Sequence, residues 1–87
     1  MSELTSGTAV VPESMAVLVG QRVTFFCMNY IYTGLVVRVD GDCILLSDAG
    51  VVFETGDFDN KTWVDMQKLP GDWCVRVSAI ESYGVLK

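Results

Sequence analysis

The sequence predicts an all-β domain: a small five-stranded barrel preceded by one short helix. Three observations point there. Stretches rich in β-branched and aromatic residues, with apolar and polar positions alternating, run from Arg22 to Glu54 and resume after residue 71. Asn29-Tyr30 and Asp40-Gly41-Asp42 punctuate these stretches at hairpin spacing. Gly34 stands alone inside one stretch, and an isolated strand glycine marks a bend or bulge of the kind that curls a small sheet.

Residues 1–11 are small and polar without periodicity, and read as a flexible N-terminal arm; the barrel domain is expected over residues 12–87. Pro12, Glu13 and, at the far end, Gly20 are helix start and stop signals about two turns apart. The first strand follows from Gln21, with Val23, Phe25 and Cys27 alternating with Arg22, Thr24 and Phe26. Ile31 to Asp40 is the second, with Thr33, Leu35, Val37 and Val39 on one face and Tyr32, Val36 and Arg38 on the other. A tight Asp-Gly turn leads to the third strand, from Cys43 and running on to Glu54. Residues 55–71 lose the alternation, gather Gly, Asp, Asn and Pro, and read as one long loop. Asp72 to Ala79 is the fourth strand and Ile80 to Val85 the fifth. An OB-fold is also five-stranded. Its helix normally lies between the third and fourth strands, so a helix hidden in 55–71 would favour it.

Hydrophobic residues make up 51% of the 87-residue chain and charged residues 20%, which excludes a disordered chain. That apolar share is generous for one small domain, and points to apolar surface buried against another chain. Six basic residues face eleven acidic ones, for a net charge of −5. This is the wrong sign for broad phosphate binding, so any nucleic-acid contact must be local. With no histidine, no Cys-x-x-Cys pair and no phosphate-cradling glycine loop, neither an enzyme, a metal site nor a cofactor is expected. Asp57 and Asp59 read as solvated loop carboxylates. The three cysteines, Cys27, Cys43 and Cys74, read as free buried thiols in a reducing cytoplasm. No basic segment followed by an apolar one opens the chain, and the apolar runs fall far short of the ~20 residues that span a bilayer. The expectation is a cytoplasmic protein without a signal peptide or membrane segment.

Several segments, in order, resemble Sm-like proteins. Leu18-Val19-Gly20-Gln21-Arg22-Val23 is similar to their helix end and first strand. In Tyr32-Thr33-Gly34-Leu35-Val36-Val37-Arg38-Val39-Asp40 the glycine, the hydrophobic residue two on and the aspartate six on resemble the first Sm motif. Leu45-Leu46 follows Asp40 at a spacing nearer the bacterial Hfq pattern than the eukaryotic one. Val75-Arg76-Val77-Ser78-Ala79-Ile80 falls where the second motif belongs. The likeness covers residues 12–84 and is closest in appearance to small Sm-like proteins of phage or prophage origin. It implies an SH3-like barrel and a homo-oligomeric ring, a pentamer first and a hexamer next. In such rings the last strand of one protomer pairs with the preceding strand of the next, which covers both sheet edges. The interface residues so implied are Trp73, Val75, Val77 and Ile80. Asp40 and Gly34 are the implied loop supports, with Asp40 acting as an Asx-type turn residue.

The uridine-reading residues of the resemblance are largely missing. Asp42 stands where the base-stacking aromatic belongs, Ile44 where the uracil-reading asparagine belongs, and Val77 where the glycine after Arg76 belongs. Two functions remain open. One is RNA binding in another mode, with Arg76, Arg38 and Tyr32 as candidate contacts. The other is a non-catalytic adaptor that binds a protein partner through loop 55–71. Arg76 also has a plain alternative, an ion pair with Asp40 or Glu81. Tyr30, Tyr32 and Trp63 form either a docking surface or packing beneath the long loop.

Overall fold

The computed structural model describes residues 15–87. The arm and the expected helix start at Pro12 lie outside the described residues. Residues 15–20 form a tight helical turn, in which the Leu18 N–H donates to the Met15 carbonyl (3.0 Å) and the Val19 N–H to the Ala16 carbonyl (3.3 Å). Met15 and Leu18, three apart, share one face and are both buried. Gly20, at φ +90°, ends the turn, and its N–H reaches the Val36 carbonyl at 2.8 Å.

Six antiparallel strands follow: β1 (Arg22–Cys27), β2 (Ile31–Asp40), β3 (Cys43–Glu54), β4 (Asp65–Lys68), β5 (Trp73–Arg76) and β6 (Ile80–Gly84). The sheet runs β4-β3-β2-β1-β6, with β5 also paired to β3. β3 is long enough to carry two partners. Its first half pairs with β5 and its second half with β4. Asp48, at φ +51°, lies between the two halves, and aspartate is among the few residues that tolerate the left-handed region. The curled sheet encloses one core of Val23 and Phe25 (β1), Val36 (β2), Ile44, Leu46 and Ala49 (β3) and Val75 (β5), closed by Met15 and Leu18.

Gly34 is required by close approach. A Cβ there would lie 3.1 Å from the Leu46 Cβ and 3.2 Å from both the Ala49 Cα and the Ser47 carbonyl oxygen. None of these atoms can swing away. Gly34→Ala is therefore expected to lower the unfolding free energy by about 1–3 kcal/mol, measured by urea denaturation.

Three expectations need correction. First, the segment expected as a loop over 55–71 contains β4, so the irregular parts are 55–64 and 69–71, and the strands number six. All four β4 residues are exposed, so Asp65-Met66-Gln67-Lys68 carries no burial alternation. The expected fourth strand also ends early, at Arg76, where Val77–Ala79 makes a 3₁₀ turn. Second, register shifts at Thr33/Leu35 and Val36/Arg38 break the period of two in β2. Leu35 and Val37 face out and Val36 between them is buried, as their alternation implies, but Thr33, expected to share the face of Leu35, is buried. Third, Cys43 and Cys74 are joined as a disulfide, their Cα atoms 5.8 Å apart. The β3–β5 ladder places them on neighbouring strands within bridging distance. Cys27 alone remains a free thiol.

Residues 55–64 cover the second face of β1. The Phe58 ring meets Phe26 and Trp63 edge-on, at 6.3 and 6.2 Å. Trp63 is buried, and the Lys87 Nζ lies 4.3 Å from its ring centroid. That ammonium also donates to the carbonyls of Asp57 (2.9 Å) and Thr62 (3.2 Å), which pins the loop. Under this cover Thr24 and Thr33 are buried as a cross-strand pair, joined Oγ1 to Oγ1 at 3.2 Å. Among the described residues, no helix is long and apolar enough to cross a membrane.

Candidate functional site

The sequence candidates separate to opposite ends of β2. Arg38 pairs with Leu45 near the β2–β3 hairpin, and Arg76 pairs with Cys43 on the other side of β3. Tyr32 lies six residues from Arg38 along β2, about 20 Å at strand rise. Arg38 and Arg76 thus share one end of the barrel, and Tyr32 stands at the other.

At the hairpin end, Gly41 has φ +62° while Asp42 keeps negative φ. That is the signature of a type II′ turn, which matches the twist of the flanking strands. The turn aims Asp42 at the 3₁₀ segment. Its carboxylate accepts from the Ser78 N–H (3.1 Å), the Ser78 hydroxyl (3.3 Å) and the Arg76 Nε (3.4 Å). Its backbone carbonyl accepts from the Val77 N–H at 2.8 Å. Arg76 therefore pairs with Asp42 rather than with Asp40 or Glu81. Among the described residues the loop-tying hydrogen bonds come from Asp42, while exposed Asp40 closes the hairpin opposite Cys43. Ile44 is fully buried in the core and offers a ligand nothing.

At the far end, Tyr30 and Tyr32 pack as a tilted pair 6.1 Å apart. A shallow hollow of about 370 Å³ adjoins them, lined by Cys27, Met28, Asn29, Tyr30, Ile31, Val52 and Phe53. Met28, Tyr30 and Phe53 are exposed around it. Burial pushes the Tyr32 hydroxyl up from its usual range, helped by Cys27 and Tyr30. Burial, with Glu81 adding to it, likewise raises the Cys27 thiol, so at neutral pH it stays protonated and weakly nucleophilic.

A third cluster escaped the sequence reading. The Asp48 carboxylate bonds Lys68 and, at 2.6 Å, Arg22, so three strands meet on one side chain. These two hydrogen bonds, Lys68 foremost, hold its carboxyl below the usual range. The folded value lies under the unfolded one, so the stabilisation is present above the ordinary aspartate range and lost as pH falls through it. The melting-temperature gap between wild type and Asp48→Asn is expected to shrink on acidification, as followed by circular dichroism. The only hint in the sequence is an aspartate interrupting an apolar strand just before Ala49-Gly50.

The implied interface residues divide as well. Val75 is 3% exposed within the single chain and belongs to its core, not to a free surface. Trp73 is 36% exposed on β5, Tyr83 is 41% exposed on β6, and Val77 and Ile80 are half-buried between them. Among the described residues β5 pairs only with β3 and β6 only with β1, so each leaves one side unpaired.

No family model matches this sequence, and no curated protein matches it. Among solved structures it is similar to SmAP1 of P. aerophilum, crystallised as a heptamer, with a TM-score of 0.63 and 14% identity over 97% of this chain and 99% of that one. The curled antiparallel sheet, its bend at Gly34 and the hairpin closed by Asp40 and Cys43 are thus the fold of an Sm-like barrel.

Proposed function

We propose that this chain closes head to tail into a homo-oligomeric ring that serves as a non-catalytic binding module. The observation that carries this reading is that β5 and β6, on opposite sides of one sheet, each leave an edge unpaired, as does the short β4. Exposed strand edges invite pairing, and a β5–β6 ladder between copies covers the β5 and β6 edges at once. Trp73, Tyr83, Val77 and Ile80 supply apolar surface for the joint. The phage-type likeness favours a pentamer and then a hexamer, beside the heptamer of SmAP1.

The ligand proposed for the ring is RNA, bound otherwise than in a Sm uridine pocket. Asp42 places a carboxylate where a base would stack, and holds Arg76 with it. Arg38 at the hairpin end and the Tyr30–Tyr32 pair at the other end are the remaining contacts, each repeated around the ring. A stacked base is worth roughly 1–3 kcal/mol. A mixed-sequence RNA pool is expected to bind at low salt, to weaken steeply as salt rises, and to show no uridine preference in a filter assay. Absence of binding at low salt overturns the RNA reading. It leaves the adaptor reading, which the exposed Phe58 and Val64 of loop 55–64 favour.

A further inference from the structure

The basic side chains are distributed unevenly. None of the six lies in residues 1–14, and the fold gathers four of them, Arg22, Lys61, Lys68 and Lys87, on one side of the molecule. Three of these, Arg22, Lys61 and Lys87, line a single pocket of about 300 Å³ with Trp63, and Asp65 is the one acidic residue in its wall. In a chain of net charge −5, this is a local excess of positive charge.

The cations differ in their commitments. Lys87 is fixed by the Asp57 and Thr62 carbonyls and lies against the Trp63 ring, so its charge is held in place. Arg22 gives one nitrogen to Asp48 and keeps the rest of its guanidinium fork. Lys61 has no hydrogen-bond partner among the described residues. The Trp63 indole N–H is buried and likewise has no acceptor among the described residues. The sheet and loop thus set three cations around a small hollow, with Trp63, Val64 and Met66 as apolar walls.

We propose that this pocket binds a phosphate-bearing ligand. Lys61 and Arg22 hold the oxyanion, and the fixed charge of Lys87 stands behind it against the Trp63 ring. The pocket is at the lower limit of small-molecule sites, roomier than a bare phosphate and large enough for part of the group it esterifies. The site is complete in one protomer and does not depend on the ring. The same chemistry is offered by a free phosphate monoester and by the phosphodiester of an RNA strand.

The test uses the full chain and follows the Trp63 indole N–H cross-peak by ¹H–¹⁵N NMR, assigned with a Trp73→Phe variant. Inorganic phosphate, adenosine 5′-monophosphate and a mixed-sequence oligoribonucleotide are titrated at constant ionic strength. The proposal expects a saturable shift of that cross-peak with at least one phosphate probe. It also expects affinity to fall at least about tenfold in Lys61→Gln and in Arg22→Gln, with recovery in Lys61→Arg. Saturation by the monophosphate alone assigns a free phosphate ester, and saturation by the oligonucleotide alone assigns the RNA backbone. Lys61 is exposed and without a partner, so K61Q keeps the test informative even if R22Q loosens the Asp48 cluster. No saturable shift with any probe, or equal affinity in wild type and K61Q, overturns the proposal. Neither outcome bears on whether the chain forms a ring.

Discussion

Phe25→Ala is expected to remove about 3–5 kcal/mol of folding stability, read as a shift of the urea midpoint at unchanged slope. Phe25 is fully buried at the centre of the core, and its ring packs 6.1 Å from Tyr83 of β6. Deleting it leaves a cavity between β1 and β6 that fixed strand ladders cannot collapse. A domain of this size has roughly 5–15 kcal/mol in all, so much of the population unfolds at physiological temperature. The substitution also loosens β6, and with it one of the two strands assigned to the ring joint. A loss under about 1 kcal/mol would mean that the core is not centred on Phe25.

Arg76→Pro is expected to leave the protomer folded and to abolish assembly. The Val77 N–H bonds the Asp42 carbonyl, and the β3–β5 register continues through Ile44 and Val75. Alternation along an antiparallel ladder then turns the Val77 and Val75 amides inward and the Arg76 and Cys74 amides outward. Arg76 already has φ −77°, within the range that proline imposes. Proline there fits the protomer, loses only an exposed 3.4 Å pair with Asp42, and takes away a donor from the free edge. One inter-protomer hydrogen bond is worth about 1 kcal/mol, the proline ring adds a steric obstacle, and both recur at every joint of the ring. Size-exclusion chromatography with light scattering should report a monomer whose circular dichroism matches wild type. A ring of unchanged mass would place the joint elsewhere than β5.

Much of the protomer was legible because its signals are local. Ile31–Asp40 and Cys43–Glu54 follow from alternation and from the Asp-Gly turn between them, and the covalent neighbourhood decides both. β4 was not legible, because an edge strand with four exposed residues leaves no apolar trace. The burial of Thr33 beside exposed Leu35 was not legible, because two register shifts interrupt the period of two in β2. The functional clusters were the least legible part. Asp42 with Arg76 and Ser78, Asp48 with Arg22 and Lys68, and Trp63 with Lys87 join residues 20 or more positions apart. The Cys43–Cys74 bridge is non-local in the same sense. Spacing patterns along a chain do not carry such pairings; the sheet register makes them.

The central claim is that the unpaired edges of β5 and β6 meet between copies. Native mass spectrometry of the purified full chain tests it most directly. One closed homo-oligomer that falls to monomer in Arg76→Pro is the expected result. A wild-type chain that stays monomeric at micromolar concentration would contradict it, because both strand edges would then need another cover.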